Sequence, residues 1–309
     1  MNKSLDRPVV GRFAPSPTGA LHTGSLVAAV GSYLMAKRHG GLWLLRLDDL
    51  DTARQIPGMA DDLMRTLELF GLQWDGEVAC QSRHLREYQH FFELLQQAGA
   101  VYPCCCSRKE IARSASAPHL EDDGIPYAGT CRAGMKAAAA IRSWRLQVSE
   151  DNISFSDLRR GRFCQKLSTV SGDFILRRGD GEFAYQLAVV IDDYLAGVNQ
   201  VTRGEDLLSS TPRQIYLQRL LGFTQPDYCH LPLVTGPDGS KLSKRNHLLS
   251  HQLGTVTGRE QSVLLDVLRF LGLNPPLELA GCPCHTILQW GIINFTELLL
   301  PVQGGTLAI

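Results

Sequence analysis

The sequence predicts an α/β protein with a parallel β-sheet, for three reasons. Apolar strand-like segments alternate with amphipathic helix-like segments over the first hundred residues, at the spacing of strand–helix units. The first strand ends in "GRFAPSPTGALHTGS" at 11–25, a turn-rich stretch that leads into a helix. The alternation stops at 101–134, which is predicted to be loop, and returns near Asp173, which indicates that an insertion splits the sheet.

The predicted elements before the insertion are a strand over 8–13, a helix over 24–38 that Gly40 and Gly41 end, a strand over 42–47, and helices over 58–70 and 84–98. The strand "LWLLRL" is apolar almost throughout and is predicted to be buried, and the helix over 58–70 repeats its apolar residues at helical spacing. The elements predicted after the insertion are the strand "FILRR", the apolar stretch "FAYQLAVVIDDYL", a strand and turn over "NQVTRGEDLL", and a helix over 212–222.

This pattern divides the chain into four predicted regions. The first half of a nucleotide-binding α/β domain is expected over 1–100 and its second half over 173–225, with the insertion over 101–172 between them. The last region, 226–309, begins with a loop rich in Gly and Lys and continues as a short, mainly helical C-terminal region.

The composition restricts the class of protein. The 309 residues carry 31 Lys and Arg against 31 Asp and Glu, and a net charge of zero disfavours a general nucleic-acid binder. No apolar run reaches the length of a membrane span, so no membrane partner is expected. The N-terminus lacks the apolar core of a signal peptide, which predicts a cytoplasmic protein. Its nine cysteines are then expected as thiols or metal ligands rather than disulfides.

The turn-rich stretch at 11–25 predicts a phosphate site. Gly24 and Ser25 lie at the expected start of a helix, where free backbone N–H groups and positive potential attract phosphate. Gly19 allows close approach of the backbone, and His22 can donate a hydrogen bond to a phosphate or ribose oxygen. The alternative is an ordinary loop with an incidental histidine and a serine cap.

A second stretch, "GPDGSKLSKRNH" at 236–247, predicts a charge clamp. Lys241 and Lys244 offer two ammonium groups and Ser243 a hydroxyl, on a loop with glycines before it. Such groups suit a phosphorus centre under attack, where negative charge develops and catalysis is mostly electrostatic. The alternative for this stretch is a solvated basic loop.

Together the two stretches resemble the paired signatures of class I aminoacyl-tRNA synthetases. "HTGS" stands where that class has its HIGH motif, with Ser25 in place of the last His, and "KLSKR" stands where it has KMSKS. The segments that resemble the glutamyl branch of the class are "RFAPSPTGALHTG", "LLRLDDLDTAR", "FAYQLAVVIDD", "RGEDLL" and "HLPLV". The resemblance covers roughly residues 8–250 and implies a Rossmann-type parallel sheet.

Within the branch, the chain resembles the glutamyl-queuosine tRNA(Asp) synthetases. Only about 60 residues follow Arg245, too few for the anticodon-binding domain of a full glutamyl-tRNA synthetase, and the insertion is rich in cysteine. The resemblance implies activation of L-glutamate by ATP with Mg²⁺ on the phosphates, and transfer to queuosine at the wobble position of tRNA(Asp). A monomer is expected. The alternatives are a minimal glutamyl-tRNA synthetase that charges a tRNA 3′ end, and a non-catalytic RNA-binding paralogue.

The resemblance also implies the site residues. Those expected to bind glutamate are Arg12, Phe13, Ala14, Pro15, Ser16, Asp48, Tyr185 and Arg203. Those expected to bind ATP are His22, Gly24, Ser25 and Lys244, and the catalytic residues are His22, Lys241, Ser243 and Lys244. Asp48 departs from the Glu that the family usually has there. Because the Asp48 side chain is one methylene shorter, either a water bridges the gap between its carboxylate and the substrate ammonium, or Asp49 shares the contact.

The cysteine-rich insertion predicts one structural Zn²⁺. A C-x-C pair with a distant Cys is half of a zinc signature, and the resemblance completes it as Cys104, Cys106, Tyr127 and Cys131. His119 is the alternative to Tyr127, because imidazole is the commoner zinc ligand, and the remaining alternative is a cluster that holds no metal. Cys105 is expected to point away from the site.

Overall fold

The computed structural model describes residues 7–114, 126–236, 258–301 and 303–307. The strands are β1 Val10–Phe13, β2 Leu42–Leu47, β3 Ala79–Cys80, β4 Val101–Cys104, β5 Ser143–Leu146, β6 Asn152–Asp157, β7 Gly161–Lys166, β8 Phe174–Arg178, β9 Gln200–Gly204 and β10 Asp227–Leu231. The helices are α1 Thr23–Lys37, α2 Met59–Leu69, α3 Leu85–Gln97, α4 Arg108–Ser114, α5 Leu167–Val170, α6 Tyr185–Leu195, α7 Thr211–Leu221, α8 Glu260–Phe270 and α9 Cys284–Asn294. None of the helices in these ranges is long and apolar enough to span a membrane.

The predicted parallel sheet is present as two ladders that meet at β1 and β9. Strands β1, β2 and β3 pair in parallel, and so do β9, β10 and β6. Asn199 joins the ladders: its backbone N–H donates to the Val10 carbonyl at 3.1 Å, and its side-chain oxygen accepts from the Val10 N–H at 2.8 Å. The carboxyl ends of β1 and β9 therefore lie side by side, where α/β sheets bind ligands.

The insertion and the strand after it differ from their prediction in three places. The segment 101–134 was expected to be loop, yet Arg108–Ser114 form α4, and the first four residues form β4, which pairs antiparallel with β5. Strand β4 has the sequence "VYPC", in which only two strand-forming residues precede a proline, so the pairing with a strand about forty residues away decides its structure. The strand "FILRR" was expected where the parallel pattern returns, but as β8 it pairs antiparallel with β5 instead. The boundaries at 100, 172 and 225 stay predictions.

The C-terminal region is mainly helical where it is described. Helices α8 and α9 pack on α1, and their apolar residues continue the core of the first half of the sheet. A second core lies between α3, α6 and α7 and the strands of the insertion. The C-terminal helices thus support the helix that begins at the predicted phosphate site.

Candidate active site

The carboxyl ends of β1 and β9 open into a cavity of about 380 Å³. The described residues that were expected to bind glutamate or ATP all line it: Arg12, Phe13, Ala14, Pro15, Ser16, His22, Gly24, Ser25, Asp48, Tyr185 and Arg203. Lys241, Ser243 and Lys244 lie outside the described residues. Residues that are nearly two hundred positions apart in the sequence therefore share one cavity.

The side of the cavity that was expected to bind ATP is the first turn of α1. His22 is the N-cap residue, and its Nδ1 accepts a hydrogen bond from the Ser25 N–H at 3.2 Å. A ring nitrogen that accepts carries no proton, so the neutral imidazole has its N–H on Nε2. The first turn contains no acidic side chain, which leaves the positive end of a 15-residue helix facing the cavity. This turn can bind an anion.

The floor of the cavity is a buried charge cluster. Arg12 donates from Nε and Nη2 to the two oxygens of Asp193, at 3.0 and 3.2 Å. Arg46 donates to Asp193 at 2.6 Å and to Asp48 at 2.7 Å, and lies 3.6 Å from Asp192. One edge of the Arg12 guanidinium is therefore used, and its Nη1–Nη2 edge remains for a substrate carboxylate. Three aspartates face two arginines, so the cluster favours binding of a further cation.

The pKa of Asp48 depends on both its burial and its charged neighbours. Burial raises the pKa of Asp48, and the nearby Arg46 guanidinium offsets only part of that rise. The pKa of Asp193 is lowered instead, because Arg12 and Arg46 together outweigh its burial. Asp49, the alternative contact for the substrate ammonium, accepts hydrogen bonds from Ser82 on its two oxygens, at 2.8 and 2.6 Å.

Arg203 forms the opposite wall. Its Nε donates to His230 Nε2 at 3.3 Å and its Nη2 to Thr211 Oγ1 at 2.8 Å, while Nη1 is buried with no hydrogen-bond partner in the described part of the chain. Because a buried donor without a partner is costly, Nη1 is placed for an acceptor that enters the cavity. The arrangement can bind a carboxylate.

His230 orients Arg203 through a buried relay. His230 Nδ1 lies 2.6 Å from Asp157 Oδ2, and both side chains are fully buried. Burial lowers the pKa of His230 more than the hydrogen bond to Asp157 raises it, so the imidazole is neutral near pH 7. Burial raises the pKa of Asp157, but hydrogen bonds from His230 and the Arg160 backbone N–H lower it by more. The pKa of Asp157 therefore lies below its usual value. The carboxylate thus holds the proton on Nδ1 and leaves Nε2 to accept from Arg203.

Sequence reasoning missed the residues that hold the predicted ones in place: Arg46, Asp157, Asp192, Asp193 and His230. Their shared signal is a charged or polar residue at an inward-facing position of an apolar segment, as in "LWLLRL", "VVIDD" and "HLPLV". Such residues are rarely buried unless they are paired, so each predicts a buried partner. Which partner it has depends on the fold.

The predicted zinc residues form a cluster in the insertion. Tyr127 Oη lies 3.3 Å from Cys104 Sγ and 3.5 Å from Cys106 Sγ, and the Sγ atoms of Cys106 and Cys131 are 3.6 Å apart. Cys105 does not point away as expected, because its Sγ lies 3.8 Å from that of Cys131. His119 lies outside the described residues.

Known proteins resemble this chain over most of its length. The family described as "tRNA synthetases class I (E and Q), catalytic domain" matches residues 8–281. A glutamyl-Q tRNA(Asp) synthetase of Geobacter sulfurreducens is 56% identical over 96% of this chain and 95% of its own length. Another, of Dechloromonas aromatica, is 49% identical over 97% and 98%.

A solved structure has the same fold. It is a glutamate tRNA ligase of Elizabethkingia meningosepticum in complex with its amino acid, with a TM-score of 0.80 and 24% identity, and the match covers 98% of this chain and 67% of that one. The resemblance inferred from the sequence motifs is confirmed. The chain belongs to the catalytic-domain family of class I tRNA synthetases (E and Q), and within it to the glutamyl-Q tRNA(Asp) synthetases.

Proposed function

We propose that the protein activates L-glutamate with ATP and transfers it to queuosine at the wobble position of tRNA(Asp). One observation carries the proposal: the described residues that the sequence motifs assign to glutamate and to ATP line one cavity. The names of the relatives at 56% and 49% identity give the same reaction. Glutamyl-adenylate is the intermediate that joins the two half-reactions.

The glutamate side of the cavity matches a substrate with two carboxylates and one ammonium. Arg203 Nη1 and the open edge of Arg12 provide donors for the carboxylates. Asp48 provides an acceptor for the ammonium, inside a cluster whose net charge is negative. The ammonium would restore the balance of that cluster and hold Asp48 ionised despite its burial.

Activation joins the α-carboxylate to the nucleotide. A carboxylate oxygen attacks the α-phosphorus of ATP, a new O–P bond forms, and the bond to pyrophosphate breaks. His22 and the N–H groups at the start of α1 would hold phosphate oxygens. Lys241 and Lys244 would neutralise charge on the departing pyrophosphate, and Ser243 would donate a hydrogen bond to it. Mg²⁺, when bound, would supply further positive charge on the phosphates. A hydroxyl of queuosine then attacks the activated carbonyl, and AMP leaves.

The cysteine cluster has the dimensions of a zinc site. Zinc–sulfur bonds of about 2.3 Å at tetrahedral angles place sulfurs about 3.8 Å apart, and a zinc-bound oxygen about 3.5 Å from each sulfur. The S–S separation of 3.6 Å and the two O–S separations of 3.3 and 3.5 Å are close to these values. We therefore propose that Cys104, Cys106, Tyr127 and Cys131 hold one structural zinc.

The zinc ligands can be tested by elemental analysis of chelator-washed protein. Tyr127→Ala should lose zinc and His119→Ala should keep it. The reverse result would make His119 the fourth ligand, and equal zinc content in both variants would reject both assignments.

The reaction itself is tested in two steps. Glutamate-dependent ATP–pyrophosphate exchange is measured first without RNA, and transfer of labelled glutamate is then measured on tRNA(Asp) with and without queuosine. We expect exchange without RNA and transfer only to the queuosine-bearing tRNA. Exchange that requires tRNA(Glu), with label at the 3′ end, would identify a minimal glutamyl-tRNA synthetase. No exchange would identify a non-catalytic paralogue.

We also propose the cytoplasm as the site of action. ATP and tRNA are present there, and all nine cysteines are free thiols in this structure.

A further inference from the structure

A second cavity, of about 860 Å³, opens beside the first. The two cavities share Ser16, Asp48 and Tyr185 as wall residues. The opposite wall of the second cavity belongs to the insertion and begins at Cys106, one of the clustered thiols. A molecule in the second cavity would therefore touch both the proposed glutamate site and the insertion.

The charges around the second cavity are unevenly paired. Each carboxylate that lines it has an arginine partner: Asp48 pairs with Arg46, Asp51 with Arg54, and Asp180 and Glu182 with Arg178. Three other arginines of the lining, Arg108, Arg142 and Arg145, form no ion pair with any residue in the described ranges. All three belong to the insertion wall, so among the described residues that line it this wall carries more positive than negative charge.

Arg142 is fixed at the start of β5 by its backbone. Its N–H donates to the Cys104 carbonyl at 2.9 Å, and its carbonyl accepts from the Gly179 N–H at 2.8 Å. A Cβ at Gly179 would lie 2.8 Å from that carbonyl, so only glycine allows this approach. The guanidinium is exposed on a rigid base, and Arg108 lies exposed on the same wall, four residues after Cys104.

Arg145 serves a different purpose. It is 7% exposed, its guanidinium carbon lies 4.0 Å from the centre of the Tyr127 ring, and its Nη1 donates to the Asp173 carbonyl. A cation against this ring would stabilise an anionic metal site, so Arg145 is not assigned to an external ligand. The lining of the second cavity also includes Ile141, which is 40% exposed, and Phe183, and both offer apolar surface for a flat ring.

We propose that the second cavity holds the acceptor nucleoside of the RNA, and that Arg108 and Arg142 bind the phosphodiesters beside it. This inference rests on the proposed function, because it assigns a place to the acceptor of that reaction. Guanidinium groups on a rigid base suit phosphate oxygens, and single-stranded loop nucleotides are bound by such contacts together with packing of the base. The shared wall then brings the acceptor hydroxyl to the activated glutamate.

The test compares Arg108→Ala, Arg142→Ala and the double variant with Arg162→Ala. Arg162 is an exposed arginine on β7 that lines neither cavity, so it controls for the loss of one positive charge. The measurements are ATP–pyrophosphate exchange without RNA, and the Kd for queuosine-bearing tRNA(Asp) at several salt concentrations.

We expect the double variant to raise the Kd about tenfold while exchange without RNA stays within about twofold. The slope of log Kd against log salt should fall by about 0.7 for each arginine that is removed, as expected for contacts to single-stranded RNA. A Kd and salt slope equal to those of Arg162→Ala would overturn the inference. If the unaltered protein never transfers glutamate to the modified tRNA, the proposed function fails first, and that result precedes any comparison of variants.

Discussion

Asp193 stabilises two arginines at once, and this makes it the residue whose charge matters most to the cavity floor. Asp193→Asn keeps the shape but leaves Arg12 and Arg46 without their shared carboxylate. Removing one partner of a buried ion pair costs about 3–5 kcal/mol, so we expect the free energy of unfolding to fall by about that amount. Urea unfolding at neutral pH measures it.

The matched control for this prediction is Asp227→Asn. Asp227 is exposed at the start of β10 and forms no ion pair within the described ranges, so its neutralisation should change stability by less than about 0.5 kcal/mol. Equal effects of the two substitutions would show that the cluster contributes no more than a surface charge.

His230 gives the protein a dependence on pH that can be worked out from its environment. Its folded-state pKa lies below the unfolded value of 6.5, mainly because it is buried. As the pH falls through 6.5, the unfolded chain takes up a proton before the folded chain does, so the free energy of unfolding decreases. Asp157 adds nothing in this pH range. Its folded-state pKa is lowered, so its contribution to stability is lost only as the pH falls below 3.8, the pKa of the unfolded state.

His230→Asn should therefore lose less stability than the parent between about pH 7.5 and about pH 5.5, by up to about 1.4 kcal/mol per pH unit below the unfolded pKa. The difference between the two proteins isolates His230 from the other eight histidines. Parallel losses in both proteins would mean that His230 is protonated when folded. Arg203 is oriented by the neutral ring, so the KM for glutamate in the exchange reaction should rise in the variant.

At the scale of elements, α1 contains two glycines whose roles differ. A methyl group at Gly24 would lie 3.1 Å from His22 Cε1, whereas one at Gly31 would lie 2.5 Å from a methyl carbon of Leu231, which is fully buried on β10. Alanine favours an α-helix over glycine by about 1 kcal/mol. The effect of each substitution on stability depends on this gain in helix propensity and on the cost of the close contact that the new methyl group makes.

We expect Gly24→Ala to keep or raise the thermal stability and to lower the exchange rate, because the imidazole must move by a few tenths of an ångström. Gly31→Ala should lower the stability by about 1–3 kcal/mol, since the helix cannot separate from β10 without opening the core. Thermal unfolding and ATP–pyrophosphate exchange on both variants measure these effects. A stable Gly31→Ala protein would show that the interface has room for a methyl group.

In the insertion, the phenol oxygen of Tyr127 contacts the thiols of Cys104 and Cys106 and accepts a hydrogen bond from the Cys131 N–H at 3.0 Å. Tyr127→Phe removes only the oxygen, so we expect the protein to remain folded while its affinity for zinc falls about tenfold or more. Tyr216→Phe is the control, because it removes a phenol that bonds the Gln147 carbonyl at 3.1 Å, away from the cluster. Competition with a chromophoric chelator measures the affinity, and equal affinities in both variants would contradict a phenolate ligand.

The sequence predicted the elements of the parallel sheet better than those of the insertion, for a physical reason. The strand over 42–47 is predicted with its observed bounds, because a strand buried on both faces is apolar throughout. In β4 the strand-forming Val101 and Tyr102 are followed at once by Pro103, and the segment is ordered by β5 and the thiol cluster. In the same way the motifs predicted which residues line the cavity, but not that Asp193 and His230 orient them.

At the scale of the whole molecule, a net charge of zero conceals a separation of charge. The floor of the first cavity has more carboxylates than guanidinium groups, while the insertion wall of the second has arginines that form no ion pair with the described residues. A small cationic group and an RNA phosphate are therefore attracted to different places. Composition alone could not predict this, because it depends on how distant segments meet.

The C-terminal helices determine whether the molecule unfolds as one unit. Leu268 of α8 is fully buried in the core that contains α1, and Gly291 of α9 approaches Leu34 so closely that a Cβ there would lie 3.2 Å away. Leu268→Ala should lower the free energy of unfolding by about 2–5 kcal/mol through the cavity it creates. Leu277→Ala is the control, since that side chain is 83% exposed.

Far-UV circular dichroism and tryptophan fluorescence should follow the same urea transition in the Leu268→Ala protein, because Trp43 of β2 and Trp290 of α9 pack in or against one core. The exchange activity should be lost over that same transition, because α8 and α9 pack on α1, and His22 lies at the start of α1. An early transition seen by one probe only, with exchange activity retained, would instead make the C-terminal helices a separate unit.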